Sequence, residues 1–158
     1  GAWDWTDSGT FSFGGPVSVT GALTATGALT ASVNIVTTTG GTDSPSAAEM
    51  RGTMHIADNA TAANDVDYTL PEISTIGDGA SACFYDNGGG DGGIIIDAAA
   101  GDQILLNGAG VGVADAIDSP GVAGAGANGD YICLLALDDD TTWVTLSRSG
   151  TWVDGGAD

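Results

Sequence analysis

Residues 94–108 read Ile94-Ile95-Ile96-Asp97-Ala98-Ala99-Ala100-Gly101-Asp102-Gln103-Ile104-Leu105-Leu106-Asn107-Gly108. Two apolar runs, rich in Ile and too short for helices, flank an Ala-Ala-Gly-Asp connection and are fenced by glycine. β-Branched side chains pack well on a pleated surface, so both runs predict buried strands punctuated by a turn bracketed by Asp97 and Asp102. The same grammar runs outward. Upstream, Arg51 to Ile56 predicts a strand with Met54 and Ile56 opposite His55, and Asp67 to Leu70 predicts one stopped by Pro71 at an edge or end position. Gly77-Asp78-Gly79 marks a turn, Ser81 to Tyr85 a strand, and Asp86 to Gly93 a hairpin loop. Downstream, Tyr131 to Leu137, Thr142 to Ser147 and Gly150 to Val153 predict three more strands. An acidic turn, Asp138 to Thr141, separates the first two. The 107–130 segment is rich in Gly and Ala, with one apolar patch at Val111 and Val113. Short strands at this spacing define an all-β domain over residues 49–158, a β-sandwich or barrel-like knob.

Composition narrows the functional classes. The 158 residues suit one domain, or one domain with an appendage. With 27 Gly, 4 Pro and 42% hydrophobic residues, much of the last Ala and Val, the core is expected to be thin. Arg51 and Arg148 are the only certain cations against 21 carboxylates, a formal charge of −19. Phosphate neutralisation needs Lys and Arg, so the charge argues strongly against binding to DNA, RNA or an anionic membrane surface. A saline setting, in which salt screens the repulsion, is a sufficient reason for such charge. No apolar run reaches the ~18 residues of a membrane span, and Gly1 to Trp5 lacks the basic and apolar parts of a signal peptide. Cys83 and Cys133 sit inside apolar strand-like runs, where the expectation is two buried free thiols; a disulfide between adjacent strands is the other option.

The first 48 residues follow different rules. In residues 1–15, Trp3, Trp5, Phe11 and Phe13 alternate with polar residues at the strand period, so the two tryptophans share a face. Such an aromatic arm suits docking on a partner, by filling a groove or adding a strand to its sheet. Residues 16–48 read as a stem and linker. Thr20-Gly21-Ala22-Leu23-Thr24-Ala25 is repeated as Thr26-Gly27-Ala28-Leu29-Thr30-Ala31, and the register places Val17, Leu23, Leu29 and Ile35 at every sixth position. A six-residue period marks a β-helical or β-spiral coil, with one large apolar residue turned inward per rung. So few rungs cannot bury their own face, and three chains winding together supply the missing neighbours. A homotrimer is therefore expected. Ser46-Ala47-Ala48-Glu49 has the form of a capping box and predicts a single helical turn.

Catalytic and metal chemistry find little purchase. His55, the sole histidine, has no ligand-type residue at metal spacing and reads as a surface or satisfied strand residue. No Gly-x-Ser-x-Gly elbow occurs, and carboxylate pairs suited to glycoside hydrolysis are unavoidable in so acidic a chain. The hexads are too few for an acyltransferase β-helix working through His55. No cofactor is expected; calcium at Asp86/Asp91 or at Asp138/Asp140 is the one metal option, although neither segment has EF-hand spacing.

From about Asp65 to Asp158 the chain resembles the C-terminal β-domains of tailed-bacteriophage fibre and head-decoration proteins. The matching residues are Leu70-Pro71, the Gly77-Asp78-Gly79 turn, Phe84-Tyr85-Asp86, the Ile94 to Gly108 core, and Asp139 to Trp152 with Trp143 and Ser147-Arg148-Ser149 inside it. The hexads are similar to fibre shafts. The glycine-rich 107–130 segment departs from that pattern, which has a compact strand pair there. The resemblance implies a non-enzymatic, homotrimeric protein of the virion surface, docked by its arm on the major capsid protein or another virion protein. Two other readings remain. One is a tail-fibre module recognising host-surface glycans through the 107–130 loops and Tyr131; the other is a secreted bacterial adhesin or surface protein.

Overall fold

The computed structural model describes residues 33–58, 65–88, 92–119, 129–137 and 140–156. In chain order the strands are β1 (Ile35–Thr38), β2 (Gly41–Asp43), β3 (Arg51–Ala57), β4 (Val66–Thr69), β5 (Ser81–Asp86), β6 (Ile94–Asp97), β7 (Gln103–Leu106), β8 (Ala109–Val113), β9 (Ala116–Ser119), β10 (Tyr131–Ala136), β11 (Thr142–Ser149) and β12 (Val153–Gly156). One helical turn, α1 (Ile73–Ile76), follows β4. The fold is all-β, with two mixed sheets and no closed barrel. A seven-stranded sheet has the order β1-β3-β5-β10-β11-β7-β8, and a five-stranded sheet the order β12-β9-β6-β4-β2.

Through β6 the chain alternates between the sheets at every step. Strands β1, β3 and β5 pair in parallel in the large sheet, and β2, β4 and β6 pair in parallel in the small one. Parallel neighbours cannot be joined by a tight hairpin, so each connection must leave its sheet. Here each visits the opposite sheet and returns, giving a flattened coil of two strands per turn. The Asp86–Gly93 loop, expected to close a hairpin, instead carries the chain from β5 in one sheet to β6 in the other. The Ala98–Asp102 connection makes the same kind of crossing from β6 to β7. Gly101, at φ 97°, takes a left-handed conformation in this crossing that suits a residue without a Cβ. Asp102 accepts a buried hydrogen bond from the Ile73 N–H at 3.0 Å, so the crossing is tied to α1.

Three further features were not among the expectations. The 107–130 segment carries two strands, β8 paired with β7, and β9 paired with β6 and β12. Strands β1 and β2 belong to the two sheets, so the sheets begin before residue 49. Arg148 donates to Asn107 Oδ1. The capping box does form: Ser46 N–H donates to Glu49 Oε2 at 2.7 Å, and Met50 N–H reaches Ser46 O at 3.1 Å.

Between the sheets lies one hydrophobic core. The large sheet contributes Phe84, Ile104, Ile132, Leu134 and Trp143, and the small sheet Val66, Tyr68, Ile94, Ile96 and Ile117. Tyr68 joins the layers, with its ring centroid 4.9 Å from Phe84 and 5.7 Å from His55. Cys83 and Cys133 stand directly opposite each other on antiparallel β5 and β10 and form a disulfide with Cα atoms 4.0 Å apart. The expectation of free thiols is thus corrected: both residues are only half-buried, on the outer face of the large sheet. Because the bridge spans 50 residues of sequence, constraining the unfolded chain contributes about 4 kcal/mol in the loop-entropy picture. Replacing both cysteines by serine should lower the melting temperature by roughly 10 °C without changing the far-ultraviolet spectrum. Equal melting of the oxidised and double-serine forms would show that the bridge does not form in solution.

Candidate functional site: the outer face of the large sheet

Cross-strand partners share a face, so the pairing register assigns every outward side chain. On the large sheet one outer row runs Ile35, Met54, Cys83, Cys133 and Ser147. The next runs Thr37, Ile56, Tyr85, Tyr131 and Ser149. A third links Arg51 to Ser81, Ser81 to Leu135, Leu135 to Val144, and Val144 to Leu105. None of these rows holds a carboxylate. The outer face of the small sheet is the opposite, since the row Thr42, Asp67, Ile95, Asp118, Val153 carries two acids and Asp97 lies one row away. In a chain of charge −19, three rows across this sheet with no carboxylate among the described residues are the feature that stands out. Large buried-on-both-sides strands read as continuous apolar runs, and β10, Tyr-Ile-Cys-Leu-Leu-Ala, is such a run.

A hollow of about 190 Å³ opens on this face. The disulfide, Met54 and Ser81 line it, with Val33 and Leu146 beside them. Val33 is 62% exposed, Ile35 60% and Leu146 58%, so large aliphatic side chains stand in water around it. Leu146 reaches the face through a bulge: Leu134 pairs with Thr145 and Cys133 with Ser147, leaving Leu146 between them. A second irregularity at Gly52, with φ 82°, breaks the β3–β5 register between Arg51 and Thr53 at the hollow's other side.

The ionisable groups in the interior are of another kind. His55 is fully buried, stacked on Phe84 at 5.1 Å with an 18° interplanar angle, and among the described residues neither ring nitrogen makes a hydrogen bond of ordinary geometry. The expectation of a surface or satisfied histidine is therefore corrected. Burial holds its pKa below the ordinary 6.5, against the opposing pull of the Asp43 and Glu49 carboxylates. The Tyr68 hydroxyl is pushed up to about 12, chiefly by burial. Asp86 is also fully buried; one oxygen accepts the Gly88 N–H at 2.7 Å and the other has no partner. Burial raises its pKa, and the Asp130 and Asp65 carboxylates raise it further. On the acidic outer face, burial and the neighbouring Asp65 and Asp67 raise the pKa of Asp118.

Of the residues singled out in the sequence, Ile35 lies on the apolar face, in register with Met54. Trp3, Trp5, Phe11, Phe13, Val17, Leu23 and Leu29 fall outside the described residues, as do Asp91 and Asp138, one residue from each of the two calcium options. Among the described residues no group of three His, Cys, Asp or Glu is placed to hold a metal ion. Tyr131 pairs with Tyr85 on the outer face. No protein-family model matches the chain, and no curated protein matches it.

The buried pair of titrating groups gives opposite pH dependences. His55 has a depressed folded pKa, so its contribution is present above pH 6.5 and is lost as pH falls through the lowered value. Asp86 has a raised one, so its contribution is present below 3.8 and is lost as pH rises through the raised value. Denaturant titrations between about pH 4 and 7 should therefore show His55→Phe losing less stability on acidification than the parent. Asp86→Asn, which keeps an acceptor for Gly88, should be more stable than the parent at pH 7. Parallel pH profiles for parent and His55→Phe would contradict the assignment.

Proposed function

We propose that this chain is a structural, non-catalytic protein of the virion surface, a homotrimeric capsid decoration or head-fibre protein. The observation that carries the reading is the carboxylate-free apolar face on an otherwise strongly acidic chain. A face of that composition suits permanent burial in an assembly, and the acidic remainder keeps assembled particles soluble and mutually repelling. The six-residue register of Val17, Leu23, Leu29 and Ile35 and the resemblance over Asp65 to Asp158 support the same conclusion. In this reading Trp3, Trp5, Phe11 and Phe13 dock on the major capsid protein or another virion protein, and aromatic anchors of that kind dominate interface energetics.

The disulfide favours a second reading, a secreted bacterial adhesin or surface protein. Structural disulfides form and persist in oxidising compartments, and Cys83–Cys133 is placed as a structural bridge between two central strands.

Deleting residues 1–15 separates the two. The virion reading expects the full chain to co-sediment with phage capsids prepared without it, and the truncated chain to stay soluble and folded but lose at least about 100-fold in affinity. Unaltered capsid binding would remove the arm from the account. Failure of the full chain to bind capsids, together with its retention on bacterial cell surfaces, would replace the virion reading by the adhesin.

A further inference from the structure

We infer that the apolar outer face of the large sheet is the surface through which three copies of this chain associate, each turning that face toward a common axis. The inference rests on the structural reading above and specifies where its homotrimer is made. Charge selects the partner. Any acidic surface is repelled by the Asp67 and Asp118 side of the molecule, and a basic one is drawn to that side in preference to the large-sheet face, whose rows carry Arg51 and no carboxylate. A neutral, apolar partner is what the face accepts, and a further copy presents such a surface at equal concentration. Faces turned inward place the acidic small sheets outward, at the greatest separation the assembly allows.

Geometry agrees. Strands β1, β3, β5, β10 and β11 span about 24 Å across the sheet and ~20 Å along it, on the order of 500 Å² in projection. Stable complexes bury about 800 Å² of accessible surface per partner, which relief from Val33, Ile35 and Leu146 brings within reach. Three sheets facing one axis form a three-sided prism in which every copy buries the same face, so the assembly closes. The hollow over the disulfide then receives an apolar side chain from a neighbouring copy. Ile35, the last residue of the six-residue register, lies on the same face, paired with Met54.

The test compares molar mass by light scattering for the full chain and three single variants. Leu146→Asp and Ile35→Asp place a carboxylate on the face at exposed positions, and Val113→Asp, 64% exposed on β8, places one elsewhere. The expected result is a three-chain mass for the parent and Val113→Asp, with dissociation shifted to at least about 100-fold higher concentration in the other two. Leu146→Ser and Ile35→Ser, which remove apolar contact without adding charge, should shift it in the same direction by less. Trimers that persist in both Asp variants would overturn this interface and leave the virion reading standing. A parent that is monomeric yet binds capsids would overturn the interface too, whereas a monomer that binds none would overturn both.

Discussion

Parallel pairing across two layers is the constraint on which the rest of this structure depends. Once β3 lies parallel to β1, and β5 to β3, the chain must cross to the other sheet between each pair and return. Both sheets are therefore built together, rung by rung, and neither can form its inner face alone. Tyr68 on Phe84 and His55 sits where successive rungs meet, which explains a core that tolerates a buried histidine: the ring is held as an aromatic slab, neutral and stacked. Later strands use cheaper connections. The β7–β8 and β10–β11 hairpins are antiparallel neighbours in sequence and in space, and they widen the large sheet to seven strands.

That widening produces the chemical asymmetry. The small sheet covers one face of the large one, while β10 and β11 bring apolar residues to both faces and leave Cys133, Leu135, Val144 and Leu146 turned outward. The disulfide lies at the centre of this region and ties β5 to β10, the pair through which the coiled half and the hairpin half of the large sheet are joined. On the other outer surface, Asp67, Asp97 and Asp118 sit on adjacent strands, and burial together with Asp65 and Asp67 raises the pKa of Asp118. The molecule is thus apolar on one broad side and acidic on the opposite one.

Much of this was legible in the residues. Short apolar and β-branched runs bounded by turn residues found β3, β5, β6, β7, β10 and β11 close to their observed limits, and the Ser46–Glu49 capping box marked its turn. Topology was not legible, because a strand's own pattern does not say which sheet it joins; hence the Asp86–Gly93 loop read as a hairpin. Strands β8 and β9 were hidden by small residues, which carry little periodic signal. His55 was misread because a lone polar residue among apolar neighbours has the same pattern whether its face is wet or packed. The outward apolar face did have a signal, the six uninterrupted apolar residues of β10, which only a strand covered on both sides requires. The cysteine pair was visible as two residues but not as a bridge, since pairing depends on the β5–β10 register.

The central claim is that apolar burial on one face, working against strong charge repulsion, holds several copies together. Sedimentation equilibrium of the full chain at salt concentrations from about 0.05 M to about 1 M tests it most directly, because salt screens the repulsion and leaves apolar contact intact. The account predicts a three-chain mass whose dissociation moves to lower protein concentration as salt rises. A one-chain mass throughout, or trimers that salt dissolves, would contradict it.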